Sequence, residues 1–124
     1  MSGRRRVVVT GLGVISPVGN DVKSAWSALL AGRSGIGPIT SFDASSHSCR
    51  IAGEVKGFDI ATVMSSKESR HVDTFIHYGV AASAEALKDS GIEVDDSNRD
   101  RIGCVIGSGI GGLPMIEDNI REMI

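Results

Sequence analysis

Twice in this chain an apolar run passes into a glycine-rich turn and then into helix-patterned sequence, at residues 6–32 and 101–124. Strand, tight turn and helix in that order need a sheet with helices laid over it, so the pattern points to an α/β domain. In the first unit "RRVVVTG" supplies the β-branched residues of a buried strand from about Arg6 to Thr10. "NDVKSAWSALLAG" then reads as a helix, with Val22, Ala25, Trp26, Leu29 and Leu30 falling on one apolar stripe. Asn20 is placed to cap its start, Asp21 suits its first turn and Gly32 ends it. In the second unit "RIGCVIG" puts Ile102, Cys104 and Ile106 on one side of a strand. A last helix, "PMIEDNIREMI", opens with Pro114 near its first turn.

Between the two units a loop rich in Gly, Ser and Pro runs to about Arg50, and "IAGEV" offers a short strand. Ser65 and Glu68 have the spacing of a capping box and open a helical stretch at "SSKESRH". "VDTFIHYGVAASAEALKDSG" predicts a long helix closed by Gly91, with Val72, Phe75, Ile76, Gly79, Val80, Ala84 and Leu87 on one face. Its glycine and alanines make it narrow on several sides, as a helix packed tightly between other elements requires. The last helix leaves Met115, Ile116, Ile120, Met123 and Ile124 as an unfinished apolar stripe. Residues 1–124 therefore read as the beginning of a longer chain, with little stability of their own.

Composition narrows the function classes. At 124 residues the chain makes at most one ordinary domain, large enough to bury roughly two-thirds of its unfolded surface around a core. Apolar residues at 41% and charged residues at 23% describe a globular chain rather than a disordered one. A net charge of −2 gives no field for nucleic acid or an anionic membrane, and one Trp, one Tyr and three Phe are too few for base stacking. Cys49 and Cys104 stand 55 residues apart with no histidine at metal-ligand spacing, so neither a zinc site nor a structural disulfide is expected. Cys104 reads as a small buried hydrophobe. The basic start is followed by an apolar stretch broken by Thr10, glycines, Ser16 and Pro17, unlike a signal peptide, and the expected setting is cytoplasmic.

Glycine is the outlier: 16 residues, about 13% against a typical ~7%. Gly107, Gly109 and Gly112 fit G-x-G-x-x-G, the cradle for a dinucleotide pyrophosphate, and Gly11 and Gly13 nearly repeat it with Ser16 in third place. Phosphate binding there needs a helix whose first amides face the turn. In the first unit Ser16-Pro17-Val18-Gly19 separates turn from helix, so that loop fails the requirement. The second loop leaves two readings open, a dinucleotide site or close backbone packing that a side chain would obstruct.

The segments "RRVVVTGLGVISPVGN", "LLAGRSGI", "FD", "DSGIE" and "RIGCVIGSGIGGL" occur in the order and spacing of the β-ketoacyl-acyl-carrier-protein synthases. The chain resembles that family over essentially its whole length, most of all the synthase II type of fatty acid elongation. The resemblance implies a thiolase-like layered fold, two similar halves each with a mixed sheet and helices, of which residues 1–124 form the N-terminal part of the first half. It also implies an acyltransferase that needs no cofactor. A cysteine takes an acyl group from acyl carrier protein as a thioester, and decarboxylated malonyl carrier protein then attacks it. That chemistry needs a thiolate at a helix N-terminus, amides for the thioester oxyanion and histidines for the enolate. None of these groups matches a position here, so no catalytic residue is assigned; Cys104, His47, His71 and His77 lie away from the family's reactive positions.

Two contributions remain, both by resemblance. Ile110, on the "GSGIGG" turn, matches the residue that gates the acyl pocket beside the subunit interface of the homodimer. Lys67 and Arg70 match basic residues that dock the acidic carrier protein, while His71 replaces a third base. Alternatives are a type I or polyketide ketosynthase, its non-catalytic chain-length partner, a dinucleotide-binding domain on Gly107, Gly109 and Gly112, or an interaction module without enzymatic activity.

Overall fold

The computed structural model describes residues 3–124. Helix α1, Val22–Leu30, begins where the Asp21 carboxylate accepts the Ser24 amide at 2.7 Å. The Ser24 hydrogen bonds hold the Asp21 carboxyl below its usual range. Asp21, not the expected Asn20, is therefore the cap; Asn20 instead donates its Nδ2 to the Lys56 carbonyl at 2.8 Å, tying two loops together. The expected Ser16–Gly19 interruption is present as a closed turn, with Ser16 N donating to Gly19 O at 2.9 Å and Gly19 N returning to Ser16 O at 3.2 Å. After Leu30 the chain turns off through Ala31 and Gly32 (φ +64°), and Arg33 N reaches back to Ala28 O.

The loop that follows holds an element the sequence did not reveal. Strand β1, Ile36–Pro38, pairs antiparallel with β2, Ile51–Gly53, in the register Ile36↔Gly53, Gly37↔Ala52, Pro38↔Ile51. Glu54 fastens the loop end by accepting the Thr40 hydroxyl at 2.7 Å and the Thr40 and Ser41 amides at 3.0 Å. Helix α2, Ser66–Ser69, opens with the expected capping box: Ser65 Oγ accepts the Glu68 amide, and Glu68 accepts the Ser65 amide at 3.2 Å. Helix α3, Thr74–Ser90, is capped by Asp73 and so starts two residues later than Val72, and it closes on Gly91 in the left-handed region (φ +64°). Helix α4 spans Leu113–Met123 with Pro114 in its first turn.

Two expected strands are missing for one reason. Residues 6–10 and 102–107 carry no ladder, residues 99–101 form a 3-10 turn where a strand was expected to begin, and the only sheet among the described residues is β1–β2. A strand exists by pairing its amides and carbonyls with a neighbour's, and no extended segment of these residues comes alongside either run. Their side chains stand in the open: Val7 is 95% exposed and Val105 98%. Cys104, expected to be buried, is exposed, and it and Cys49 are free thiols.

The core is correspondingly slight. Among the described residues Ala25, Ala28, Ala44 and Ala81 are its buried apolar members, and no large side chain is fully enclosed. On α1 the expected stripe divides: Ala25 and Ala28 face inward while Trp26, Leu29 and Leu30 remain exposed. The accessible surface is 10,406 Å², whereas a compact monomer of 13.0 kDa presents roughly 6,300 Å². The core that the chain length allows is thus not formed by these residues alone. Among the described residues no helix is long and apolar enough to cross a membrane.

Candidate functional site

The narrow face of α3 receives the first glycine loop. A Cβ on Gly13 would collide with the Ala82 carbonyl, and one on Gly11 would lie 2.6 Å from the Ser90 amide. Glycine is needed here so that one backbone can lie against another. Two carboxylates of α3 then hold the loop's amides. Glu85 accepts Val14 N at 2.9 Å through one oxygen and Val22 N, the first residue of α1, at 2.8 Å through the other. Asp89 accepts Leu12 N at 2.9 Å. These donors already have anionic partners, which adds a direct reason why the loop is no phosphate cradle.

The second loop makes a different corner. Asp73, at the head of α3, accepts its neighbour Thr74's amide at 2.6 Å through Oδ1 and Met115 N, in the first turn of α4, at 3.3 Å through Oδ2. A Cβ on Gly112 would run into that carboxylate. The loop reaches this contact through Gly111, at φ +84°, whose Cβ position lies 3.6 Å from the Phe75 ring. A pyrophosphate at the N-terminus of α4 would meet the Asp73 carboxylate, and like charges there repel. Around Gly107 and Gly109, by contrast, the structure has open space. Close approach thus accounts for Gly112 but not for the whole G-x-G-x-x-G spacing.

Two clefts flank this corner, and Phe75 and Ile76 line both. One, about 360 Å³, lies between α3 and the glycine loop, with Gly79, Val80, Ile106 and Gly107 in its wall. Its apolar lining and size fall in the range that takes small apolar ligands. The other, about 270 Å³, lies between the head of α3 and α4, and His71, Asp73 and Met115 line it. Ile110 is 76% exposed, two residues beyond the first cleft's Ser108, and is not in its wall.

Lys67 and Arg70 are exposed on α2 and its cap, and among the described residues neither forms an ion pair. The acidic neighbour between them is turned aside: the Ser65 hydroxyl and amide hold Glu68, whose carboxyl is kept below its usual range. Arg70 Nε donates to Ser66 O at 2.9 Å, which fixes the stem of that side chain. His77 is hydrogen-bonded to Ser69 O at 3.0 Å and so joins α3 to α2. The residues missed by sequence reasoning are Asp73, Glu85 and Asp89. The one available signal was a pair of carboxylates four apart on an alanine-rich helix face, which nothing local distinguishes from a solvated edge.

The chain matches the family model described as beta-ketoacyl synthase, N-terminal domain, over residues 4–122. It is 57% identical over 121 residues to 3-oxoacyl-[acyl-carrier-protein] synthase 2 of Vibrio cholerae, covering 98% of this chain and 29% of that protein. It is 53% identical over 121 residues to the protein of the same name in Coxiella burnetii, with the same two shares. The Staphylococcus aureus N315 protein, again of that name, is 46% identical over 124 residues, covering 100% of this chain and 30% of its own. The chain therefore spans less than a third of the length of these relatives. Among solved structures it resembles a type II polyketide synthase acyl-carrier protein in complex with its ketosynthase bound to the hexaketide. That likeness has a TM-score of 0.77 and 32% identity, covering 98% of this chain and 32% of that one. It also resembles the ishigamide ketosynthase/chain length factor, with a TM-score of 0.66 and 38% identity over 73% of this chain and 23% of that one. These neighbours support a thiolase-like fold. With a family model covering nearly every residue and relatives above half identity, the chain belongs to the β-ketoacyl synthase family, within its N-terminal domain.

Proposed function

We propose that residues 1–124 are the N-terminal part of a 3-oxoacyl-[acyl-carrier-protein] synthase II, serving as scaffold, acyl-pocket wall and carrier-protein dock. The observation that carries this reading is identity of 46–57% across nearly the whole chain to proteins of that name. The complete enzyme would be a cytoplasmic homodimer condensing malonyl carrier protein with an acyl thioester. Its cysteine, histidines and lysine match no position in residues 1–124 and belong to the greater part of the fold. That remainder would cover the valines at 7–9, the strand-patterned run at 102–107 and the apolar side of α4. Burial of such surfaces stabilises by roughly 25 cal/mol per Å².

In this reading the apolar cleft between α3 and residues 106–108 belongs to the acyl pocket. Ile110 gates it from a turn whose glycines let a branched side chain swing aside with little backbone resistance. Lys67 and Arg70 form the dock for the acidic carrier protein; a neighbouring ketosynthase was solved with an acyl-carrier protein bound. A second reading, a polyketide ketosynthase or its chain-length partner, draws on the two structural likenesses, though at the lower identities of 32% and 38%.

The test is decarboxylative condensation by the complete protein, with malonyl carrier protein and acyl carrier-protein primers of increasing length. The synthase reading expects carbon dioxide release and two-carbon extension of fatty acyl primers. A chain-length partner, lacking the nucleophile, would extend none of them. Ile110→Phe should preserve extension of short primers and block long ones, and undiminished elongation of long primers would refute the gate.

A further inference from the structure

Among the described residues Asp73 is the one side chain that hydrogen-bonds the start of α3 to the start of α4, and it abuts the last glycine of the turn carrying Ile110. Its carboxylate uses both oxygens, Oδ1 for Thr74 N at 2.6 Å and Oδ2 for Met115 N at 3.3 Å. Gly112 lies so close to it that a Cβ there would overlap the carboxylate and sit 2.7 Å from Asp73 Cβ. Between that contact and Ile110 stands only Gly111, whose φ of +84° an L side chain rarely adopts. Upstream of Ile110, a Cβ on Gly107 or Gly109 would meet nothing within 4 Å, so neither is packed as closely as Gly112 is. The loop is thus held more closely after Ile110 than before it.

We propose that Asp73 is a positioning residue for the acyl gate, tethering the C-terminal end of the 107–112 turn and so limiting how far Ile110 can swing. This rests on the gate reading of Ile110. It adds that primer-length selectivity depends on a carboxylate that touches neither primer nor reactive group. The tether acts through two contacts, the hydrogen bond to Met115 N and the packing of Gly112 against the carboxylate, and each can be perturbed alone.

The test uses the complete synthase and compares kcat/KM for a long and a short acyl primer. Asp73→Asn keeps an acceptor for the Thr74 amide, so α3 stays capped, but turns an amide donor toward Met115 N. Gly112→Ala disturbs the same contact from the loop side without changing charge. Each should shift the long-to-short ratio toward the long primer by roughly fivefold, the effect of one long hydrogen bond to a charged group, with the short-primer value within about twofold of wild type. Combining them should do little more than either alone, because they break one tether. An unchanged ratio, an equal fall for both primers or a shift toward the short primer in both variants overturns the proposal. The Ile110→Phe measurement separates the two readings. If that variant blocks long primers while Asp73→Asn and Gly112→Ala leave the ratio alone, the gate stands and the tether falls. If it does not block them, the gate falls and takes the tether with it.

Discussion

Removing the Glu85 carboxylate should unfasten the first glycine loop from α3 while leaving distant parts of the molecule intact. Its two oxygens accept Val14 N at 2.9 Å and Val22 N at 2.8 Å, both partly buried and both at the length of good charge-assisted bonds. A hydrogen bond to a charged group contributes about 1.5–3 kcal/mol net, and partial exposure argues for the lower end. Glu85→Ala then costs about 3 kcal/mol of local stability, or roughly a hundredfold in the opening equilibrium of that loop. Glu85→Gln keeps one acceptor and should cost about half as much, close to tenfold. Asp89→Asn, which touches the single exposed amide of Leu12, should cost less than about 1 kcal/mol. Amide hydrogen exchange of the complete synthase reads these quantities directly from peptides covering residues 11–22, with peptides from β1 and β2 as the internal reference. The graded order alanine, glutamine, then Asp89→Asn is the result expected. Exchange in residues 11–22 that Glu85→Ala leaves unchanged, or that rises equally in the reference peptides, would refute the clamp.

Reversing charge at both Lys67 and Arg70 should raise KM for the carrier-protein substrate and flatten its salt dependence, with kcat nearly constant; unaltered kinetics at low salt would remove the dock. Glu54 is held at about 2 against an ordinary 4.5, first by the Thr40 hydroxyl and then by the Thr40 and Ser41 amides. Because the folded value is the lower one, its contribution is complete above about 4.5 and is lost as pH falls toward 2. NMR signals of the Thr40 and Ser41 amides should move with a midpoint near pH 2, and Glu54→Gln should abolish the movement. Gly13→Ala places a methyl group against the Ala82 carbonyl and 2.8 Å from Ala86 N. Backbone on both sides allows little relief, so it should destabilise by about 1–3 kcal/mol, visible as a lower urea midpoint at unchanged slope.

What the sequence determined by itself is local, together with family membership. The Ser65–Glu68 capping box, the stop at Gly91, the Ser16–Gly19 interruption and the helices at α1, α3 and α4 all follow from contacts within a few residues, where spacing and geometry are nearly the same thing. The long joint motifs carried the resemblance to the β-ketoacyl synthases because they span the whole chain in a fixed order.

Tertiary structure alone decided whatever depends on a distant partner. Asp21 rather than Asn20 caps α1 because Asn20 is engaged by the Lys56 carbonyl, 36 residues away. The β-branched runs show a strand's chemistry, but a ladder needs a neighbour, and none lies beside them among these residues. The Gly11–Gly13 loop was legible as one that fails the phosphate requirement, yet only the fold shows its glycines lying against Ala82 and Ser90. Nothing in the local sequence sets Asp73, Glu85 and Asp89 apart from solvated charges; their roles come from amides 42, 71 and 77 residues distant in the chain. Local pattern fixes an element's type because the forces that form it act over one or two turns. The partner each carboxylate meets depends on how the elements are placed against one another, and no spacing along the chain encodes that placement.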